Sequence, residues 1–315
     1  MASRTVCVSG GAGFIGSHVA DALLAAGHRV VIVDDLSSGR KENLPRGAEF
    51  HHLDIRSSEA AELMRDGGIE VLVHHAAQMD VRRSVADPVF DADVNVKGTL
   101  NLLEGGRRGA LRQVVFASTG GAIYGEQDVH PAAENHPTRP VSPYGVAKLS
   151  VEHYLYFFHA EYRLDATCLR YANVYGPRQN PHGEAGVVAI FLDRLLSGRE
   201  CLINGDGLQT RDYVYVADVV AANLAAIGRP GFAIYNVGTG IETDVVTLHA
   251  HLARACGVSS PAAHGPAKSG EQRRSSISAV KLARDLGVTA CTPLGDGLRA
   301  TAEWFAAAAG VALPG

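Results

Sequence analysis

Cysteine is scarce in this chain. Cys7, Cys168, Cys201, Cys256 and Cys291 are scattered, odd in number and never spaced Cys-x-x-Cys. That excludes a disulfide framework and a structural zinc site and suits reduced thiols in a cytoplasm. Long apolar runs are also missing: none reaches the roughly 18 residues of a membrane span. Excess positive charge is absent, since 29 Lys and Arg meet 33 Asp and Glu for a net −4. Nucleic acid, whose binding rests on clustered cations, is therefore not an expected partner. The opening Met1-Ala2-Ser3-Arg4 leads into a strand-like segment rather than a signal core, so export is not expected.

What remains is an ordinary globular composition, with 46% apolar and 20% charged residues, well clear of disorder. At about 150 residues per domain, 315 residues make one large or two closely packed domains. The one excess is glycine: 35 residues, about 11% against a usual 7% or so, a sign of backbone approaching something closely.

The first half alternates short β-branched runs with helical patterns. Strands are expected at Thr5–Ser9, Arg29–Asp34, Glu49–Leu53, Val71–His74, Gln113–Ala117 and Asp165–Arg170. Phe14, Ile15, Val19, Leu23 and Leu24 recur at helical spacing, and Ser58–Arg65, Asp91–Gly105 and Tyr144–Tyr162 read as further helices. Such alternation predicts an α/β protein with a Rossmann-type, doubly wound parallel sheet. After Tyr175 the rhythm breaks at Gly176–Gly183, a loop by composition, followed by a helix near Val187–Ser197 and a short strand with a Gly-Asp-Gly turn. The Ala-rich Ala306–Ala309 reads as the end of a terminal helix. The expected division is a cofactor domain over 1–175, with 211–240 returning to it, and a smaller C-terminal substrate domain over most of 176–315.

Gly10-Gly11-Ala12-Gly13-Phe14-Ile15-Gly16 lies between the first strand and the first helix. Gly10 permits the turn, Gly13 lets backbone approach a pyrophosphate, and Gly16 lets helix and strand pack closely. The helix start offers free N–H groups and positive partial charge to phosphates. A glycine pattern alone is often only a turn. Here Asp34 closes the next strand, 18 residues past Gly16, where its carboxylate can accept from the adenosine ribose hydroxyls. The acid would repel a 2′-phosphate, which favours NAD over NADP. Asp54 closes the third strand, either beside adenine or as a solvated turn acid.

Tyr144 and Lys148 stand at i and i+4 on one helix face, behind the start signals Ser142-Pro143. A phenol is a poor base near neutrality unless a nearby cation stabilises its anion. By spacing alone the pair is an ordinary surface pair. The upstream strand end Phe116-Ala117-Ser118-Thr119 changes that, because it brings hydroxyls to the carboxyl edge of the sheet, where open α/β folds bind ligands.

With these pieces the chain resembles an extended short-chain dehydrogenase/reductase of the nucleotide-sugar epimerase branch. The matching stretches are Gly10–Gly16, Asp34–Leu36, Asp54-Ile55, His75–Gln78, Asn95, Ser118-Thr119, Tyr144/Lys148, Arg170–Pro177 and Arg211–Val214. The resemblance implies that Tyr144 exchanges the sugar O4 proton. Lys148 holds the nicotinamide ribose and lowers the phenol pKa, and Thr119 or Ser118 hydrogen-bonds O4. It implies an NAD site made by the glycine loop with Phe14 and Ile15, by Asp34, Asp35, Ser37, Ser38 and Gly39, by Asp54 and Ile55, by His75, Ala76, Ala77 and Gln78, and by Asn95, Tyr144, Lys148 and Tyr171. Asn173, Val188, Arg211 and Arg273 would hold the substrate, with the arginines on its diphosphate or nucleoside. The late stretch Gly270-Glu271-Gln272-Arg273-Arg274 resembles the family's phosphate-binding segment, with Ser278 where aspartate is common. Related dehydratases carry an acid pair after the catalytic threonine, whereas this chain has Gly120-Gly121.

The implied reaction is 4-epimerisation of a UDP-sugar, UDP-glucose/UDP-galactose first, through a transient 4-keto sugar. UDP-glucuronate or UDP-GlcNAc 4-epimerases and a nucleotide-sugar 4-reductase are the alternatives, and a non-catalytic NAD-sensing protein is a more distant one. The resemblance also implies a homodimer through the helices at Asp91–Gly105 and Tyr144–Tyr162. The second of these carries Leu149, Tyr154, Leu155, Phe157 and Phe158, more apolar bulk than one core-facing stripe needs.

Overall fold

The computed structural model describes residues 3–182, 186–267, 272–290 and 292–313. Gly183, Gly270, Glu271 and Cys291, singled out above, lie outside them. The first part runs β1 (Thr5–Ser9), α1 (Phe14–Ala25), β2 (Arg29–Asp34), β3 (Glu49–His52), α2 (Ser58–Asp66) and β4 (Val71–His74). Then come α3 (Val81–Ala86), α4 (Pro88–Ala92), a π-helical turn (Asp93–Gly98), α5 (Thr99–Arg107), β5 (Gln113–Thr119) and α6 (Gly120–Ile123). Next are α7 (Pro143–Tyr162), β6 (Asp165–Tyr171), β7 (Asn173–Tyr175), α8 (Val187–Leu196), β8 (Leu202–Asn204) and β9 (Thr210–Tyr215). The rest is α9 (Val216–Ala226), β10 (Phe232–Val237), β11 (Glu242–Asp244), α10 (Val245–Ala255), β12 (Ala263–Gly265), α11 (Val280–Leu286) and α12 (Leu294–Ala309).

Seven strands form one parallel sheet in the order β10-β6-β5-β4-β1-β2-β3. The chain leaves β1 toward β2 and β3, then returns to its other side at β4. The β1/β4 boundary is thus a topological switch point, and the connections leaving β1 and β4 diverge to open a crevice. Both faces are covered. Val19, Leu23 and Val219 of α1 and α9 pack on Val8, Ile32 and Val115 on one side. Met64, Leu102 and Leu155 of α2, α5 and α7 pack on Leu72, Val114 and Phe116 on the other. A separate cluster built by α8, α10 and α12 includes Phe191, Leu248 and Leu298. No helix among the described residues is long and apolar enough to cross a membrane. Cys7, Cys168, Cys201 and Cys256 are free thiols, all buried.

Strand β3 ends one residue early at His52, and β5 continues two residues past the expected Ala117 to Thr119. The larger difference is at Asp91–Gly105, expected as one helix. Asp87 caps a fresh start at Pro88, accepting from the Phe90 N–H, and residues 93–98 widen into a π turn before α5 begins. The Thr99 hydroxyl donates to the Asn95 carbonyl (2.6 Å), satisfying an acceptor of the widened turn. On the outer side of the sheet, β10 is an edge strand whose backbone is partly taken by side chains. The Asn236 N–H donates to Glu134 Oε1 (2.9 Å), and Lys281 Nζ donates to the Ile234 carbonyl (2.9 Å).

Helices α2 and α5 touch backbone to backbone at Gly105, where a Cβ would fall on the Ala61 carbonyl oxygen, with Ala61 Cα at 2.9 Å. Gly105→Ala should therefore destabilise by about 1–3 kcal/mol despite alanine's better helix propensity. Gly295→Ala, where nothing lies within 4 Å, should be neutral or slightly stabilising. Thermal unfolding of the two variants beside the parent checks the contrast; equal midpoints would refute it.

Candidate active site

At the switch point the turn after β1 presses on the loop after β4. Gly10 has φ +73°, and a Cβ there would stand 2.6 Å from the Ala76 nitrogen. A Cβ on Gly16 would fall on the Gly10 carbonyl oxygen, so helix α1 can start this close to the strand only with glycine there. Phe14 and Ile15, in the first turn, have no carbonyl one turn back to receive their amides. The buried Asp34 ties this turn to the next loop: Oδ2 accepts from the Ala12 N–H (2.9 Å) and Oδ1 from the Leu36 N–H (2.8 Å). Burial pushes its carboxyl up, and the two backbone bonds pull it back. Gly39 lies against that carboxylate. Asp35 accepts from the N–H and hydroxyl of Ser37, and Ser37 and Ser38 are exposed. Beyond β7, the His18 ring donates to the Pro177 carbonyl (2.9 Å) and Arg178 pairs with Asp21 (2.7 Å), tying that loop to α1.

Asp54 is more committed than either reading of the sequence supposed. Its carboxylate takes the Arg56 backbone N–H and guanidinium, and Arg56 also pairs with Asp93 (2.8 Å). Ile55 is buried against Gly98. In the β4 loop, Gln78 and Asn95 exchange two bonds: the Gln78 N–H donates to Asn95 Oδ1 and Asn95 Nδ2 donates to the Gln78 carbonyl, both 2.9 Å. His75 stacks beside Tyr171 with ring centroids 6.1 Å apart. The Tyr171 hydroxyl accepts from Asn223 (2.8 Å) and is hydrogen-bonded to His75 Nε2 (3.2 Å). The other ring nitrogen, Nδ1, is buried without a hydrogen-bond partner. Its neighbour His74 lies between the hydroxyls of Ser9 (2.6 Å) and Thr99 (2.8 Å).

Ser142 caps α7, accepting from the Gly145 N–H, and Pro143 opens the helix. The buried Lys148 donates to the Ala117 carbonyl (2.9 Å) and lies 5.8 Å from the Tyr144 ring centroid. Burial holds its ammonium down to about 8, and the Asp91 carboxylate works against that. Burial, then Asp91, pushes the Tyr144 phenol above its ordinary range. In this arrangement the hydrogen bond of Lys148 goes to backbone, with its amine held beside the Tyr144 ring.

The two candidate hydroxyls of β5 separate cleanly. Ser118 is buried and donates to Glu152 Oε1 (2.6 Å), and Glu152 in turn holds the Arg170 guanidinium (2.6 and 2.9 Å). Arg170 continues to the Tyr124 hydroxyl (3.0 Å). Thr119 points to the other side, where a Cβ on Gly121 would stand 3.9 Å from its hydroxyl and 3.8 Å from Asn173 Oδ1. Thr119 and Asn173 thus flank one open position. The outlying residues are occupied differently. Arg211 donates to the carbonyls of Thr210 and Gln272, and Arg273 is half-exposed and bidentate on Asp206 (2.8 and 2.9 Å). The Val188 side chain is in the core, so only its backbone, in the first turn of α8, is available to a ligand.

The model of the NAD dependent epimerase/dehydratase family matches residues 6–238. The chain belongs to that family. This family member is 46% identical over 304 residues to UDP-glucose 4-epimerase of Mycolicibacterium smegmatis, covering 95% of this chain and 97% of that protein. Its fold is similar to the UDP-glucose 4-epimerase of Thermotoga maritima solved with UDP-glucose (TM-score 0.95, 46% identity, 97% of this chain and 99% of that one). It is also similar to the Thermus thermophilus UDP-glucose 4-epimerase solved with NAD (TM-score 0.91, 43% identity, 96% and 98%). Two buried acids beside this candidate site, Glu152 and Asp91, escaped the sequence reading. Glu152 carried a signal, four residues past Lys148 on the same face, and Asp91 one, four residues before Asn95.

Burial drives the His74 ring well below its ordinary value and His75 down to about 3, from 6.5. The unfolded chain binds these protons first, so the stability both rings contribute is complete above about 6.5 and drains as pH falls toward 3. Each costs up to about 1.4 kcal/mol per pH unit. The slope of stability against pH in that window should flatten in His75→Asn; an unchanged slope in urea titrations would contradict the assignment.

Proposed function

We propose that this protein interconverts the C4 epimers of a UDP-sugar, UDP-glucose and UDP-galactose first, with NAD as its cofactor. The observation carrying this is the meeting, at one sheet edge, of the Gly10–Gly16 turn, the Tyr144/Lys148 face of α7 and the Thr119–Asn173 pair. The residues present fit NAD: a turn packed so closely on the β4 loop and on itself that Gly10 and Gly16 admit no Cβ, first-turn amides available for phosphates, Asp34 for ribose hydroxyls, and a buried His75 Nδ1 without a protein partner. Bound there, NAD would supply the reversible hydride acceptor that oxidation and reduction at C4 of the sugar require.

The remaining work falls to side chains. Tyr144 takes the proton from the sugar O4 and gives it back after the 4-keto sugar has turned over, and Thr119 hydrogen-bonds that oxygen. The amine of Lys148 supplies positive charge for the moments when Tyr144 is a phenolate. Ser118 is spent on Glu152, which leaves Thr119 as the working hydroxyl. Asn173 and Arg211 hold the nucleotide end, and Arg273 joins them by exchanging Asp206 for phosphate. A sugar gripped by its diphosphate and loosely at the ring can present either face. Gly120 and Gly121 offer no acid or base, so elimination of water has no catalyst there. In this reading, 1–175 with 211–240 takes the cofactor, most of 176–315 takes the nucleotide sugar, and the protein works in the cytoplasm.

Incubation with UDP-glucose, UDP-GlcNAc and UDP-glucuronate separately should yield the C4 epimer of UDP-glucose. Tyr144→Phe should keep its fold and cofactor and lose turnover by about 10²–10⁴-fold. Wild-type turnover in Tyr144→Phe would refute the mechanism.

The assembly is a homodimer in the same reading. Helix α7 buries Leu155 and Phe158 inward, yet leaves Tyr154, Phe157 and Tyr162 at 40%, 46% and 42% exposure, with Val85 and Val89 exposed on α3 and α4, which pack against α7. Light scattering at micromolar concentration should give about twice 33.2 kDa. A monomeric mass, or a dimer undisturbed by Phe157→Glu, would remove this face from the interface.

A further inference from the structure

Asp91 is a carboxylate with 1% of its surface exposed, on the short helix α4 that packs against α7. Its Oδ1 accepts from Gln78 Nε2 and Asn95 Nδ2, both 3.0 Å, while Oδ2 is buried with no partner. A buried acid supported by two neutral amides on one oxygen and nothing on the other is costly unless a cation faces it. Lys148, across the α4–α7 contact, is buried too, and its one hydrogen bond goes to a neutral carbonyl.

The other charges on the elements packed around this pair are already engaged or neutral. Glu152 on α7 pairs with Arg170, and Asp93 on the π turn pairs with Arg56 and Lys97. Asp80 and Asp87 cap α3 and α4, and Arg82 and Arg83 on α3 are exposed. His74 and His75, in and after β4, are kept neutral by burial.

We propose that Asp91 is the counter-ion of the Tyr144/Lys148 pair, a positioning residue whose buried charge keeps the Lys148 amine protonated while its hydrogen bonds fix Gln78 and Asn95. It touches neither Tyr144 nor Lys148 directly and acts through the field between the helices, which is strong where water is excluded. The same negative charge opposes the Tyr144 phenolate, so Asp91 makes the phenolate scarcer near neutrality while it keeps Lys148 charged to higher pH. The electrostatic directions agree: Asp91 raises both Lys148 and Tyr144.

The inference rests on the roles given above to Tyr144 and Lys148, and its test separates charge from hydrogen bonding. Asp91→Asn keeps an acceptor for Gln78 and Asn95 but removes the charge; Asp91→Glu keeps the charge but moves the acceptor. In the epimerisation of UDP-glucose, both limbs of the pH–kcat profile should move to lower pH in Asp91→Asn by about one unit, and stay in place in Asp91→Glu. The phenolate absorbance of Tyr144, isolated by subtracting the Tyr144→Phe background, should titrate earlier in Asp91→Asn. That second readout needs no turnover, so it still decides the matter if no epimerisation is found and the functional reading itself fails. Should Asp91→Asn not fold, Asp91→Ser replaces it in the same comparison. A profile and a phenolate titration both unmoved by loss of the charge would overturn the proposal and leave Asp91 a structural bracket for the β4 loop.

Discussion

Helix α7 can bring a phenol and an amine to the sheet edge at only one rotational setting, and a buried ion pair fixes that setting. Tyr144, Lys148 and Glu152 lie along one face of the helix. Glu152 reaches down to Ser118 at the end of β5 and to Arg170 on β6, so the helix is anchored to two adjacent strands by charge-assisted bonds away from water. A rotation of α7 would strand both charges in the interior, at about 3–5 kcal/mol for the broken pair. The Lys148 bond to the Ala117 carbonyl and the outward aim of Thr119 both follow from that fixed setting.

A second constraint meets it from the opposite side of the crevice. The polar residues after β4 are braced from behind by Ser9, His74, Thr99 and Asn95, joined hydroxyl to ring to hydroxyl to carbonyl. This row links the strand that precedes the glycine turn to the π turn that carries Asn95. The glycine turn and the β4 loop are therefore backed by one buried polar row that runs from the Ser9 hydroxyl to the Asn95 carbonyl.

Much of this was legible in the amino-acid order. Strands buried on both faces advertise themselves as β-branched runs, and β1, β2 and β4 fall where those runs stand. The glycine turn and the Tyr144/Lys148 spacing are local patterns, readable without knowing the fold. What local pattern could not carry was competition between partners. Arg273 has the chemistry for phosphate, but Asp206 lies far from it in sequence and meets it only in the fold. The choice between Ser118 and Thr119 depended on which of two alternating side chains met Glu152, a tertiary fact. The π turn was invisible for a related reason: its hydrophobic period is nearly that of an α-helix, and the capping by Asp87 that restarts the chain was masked by continuous apolar spacing.

The covered margin of β10 has a consequence for how copies of this chain meet. With Glu134 on the Asn236 amide and Lys281 on the Ile234 carbonyl, that border of the sheet offers no continuous row of free backbone groups to an incoming strand. At the far border, β3 is four residues long and carries Glu49 paired with Arg29 and His51, a charged and abbreviated rim. Neither side of the sheet is a template for templated growth into a ribbon shared between molecules. Backbone pairing between copies, which has no natural end, is thereby closed off at both borders, and contacts between copies are left to side chains.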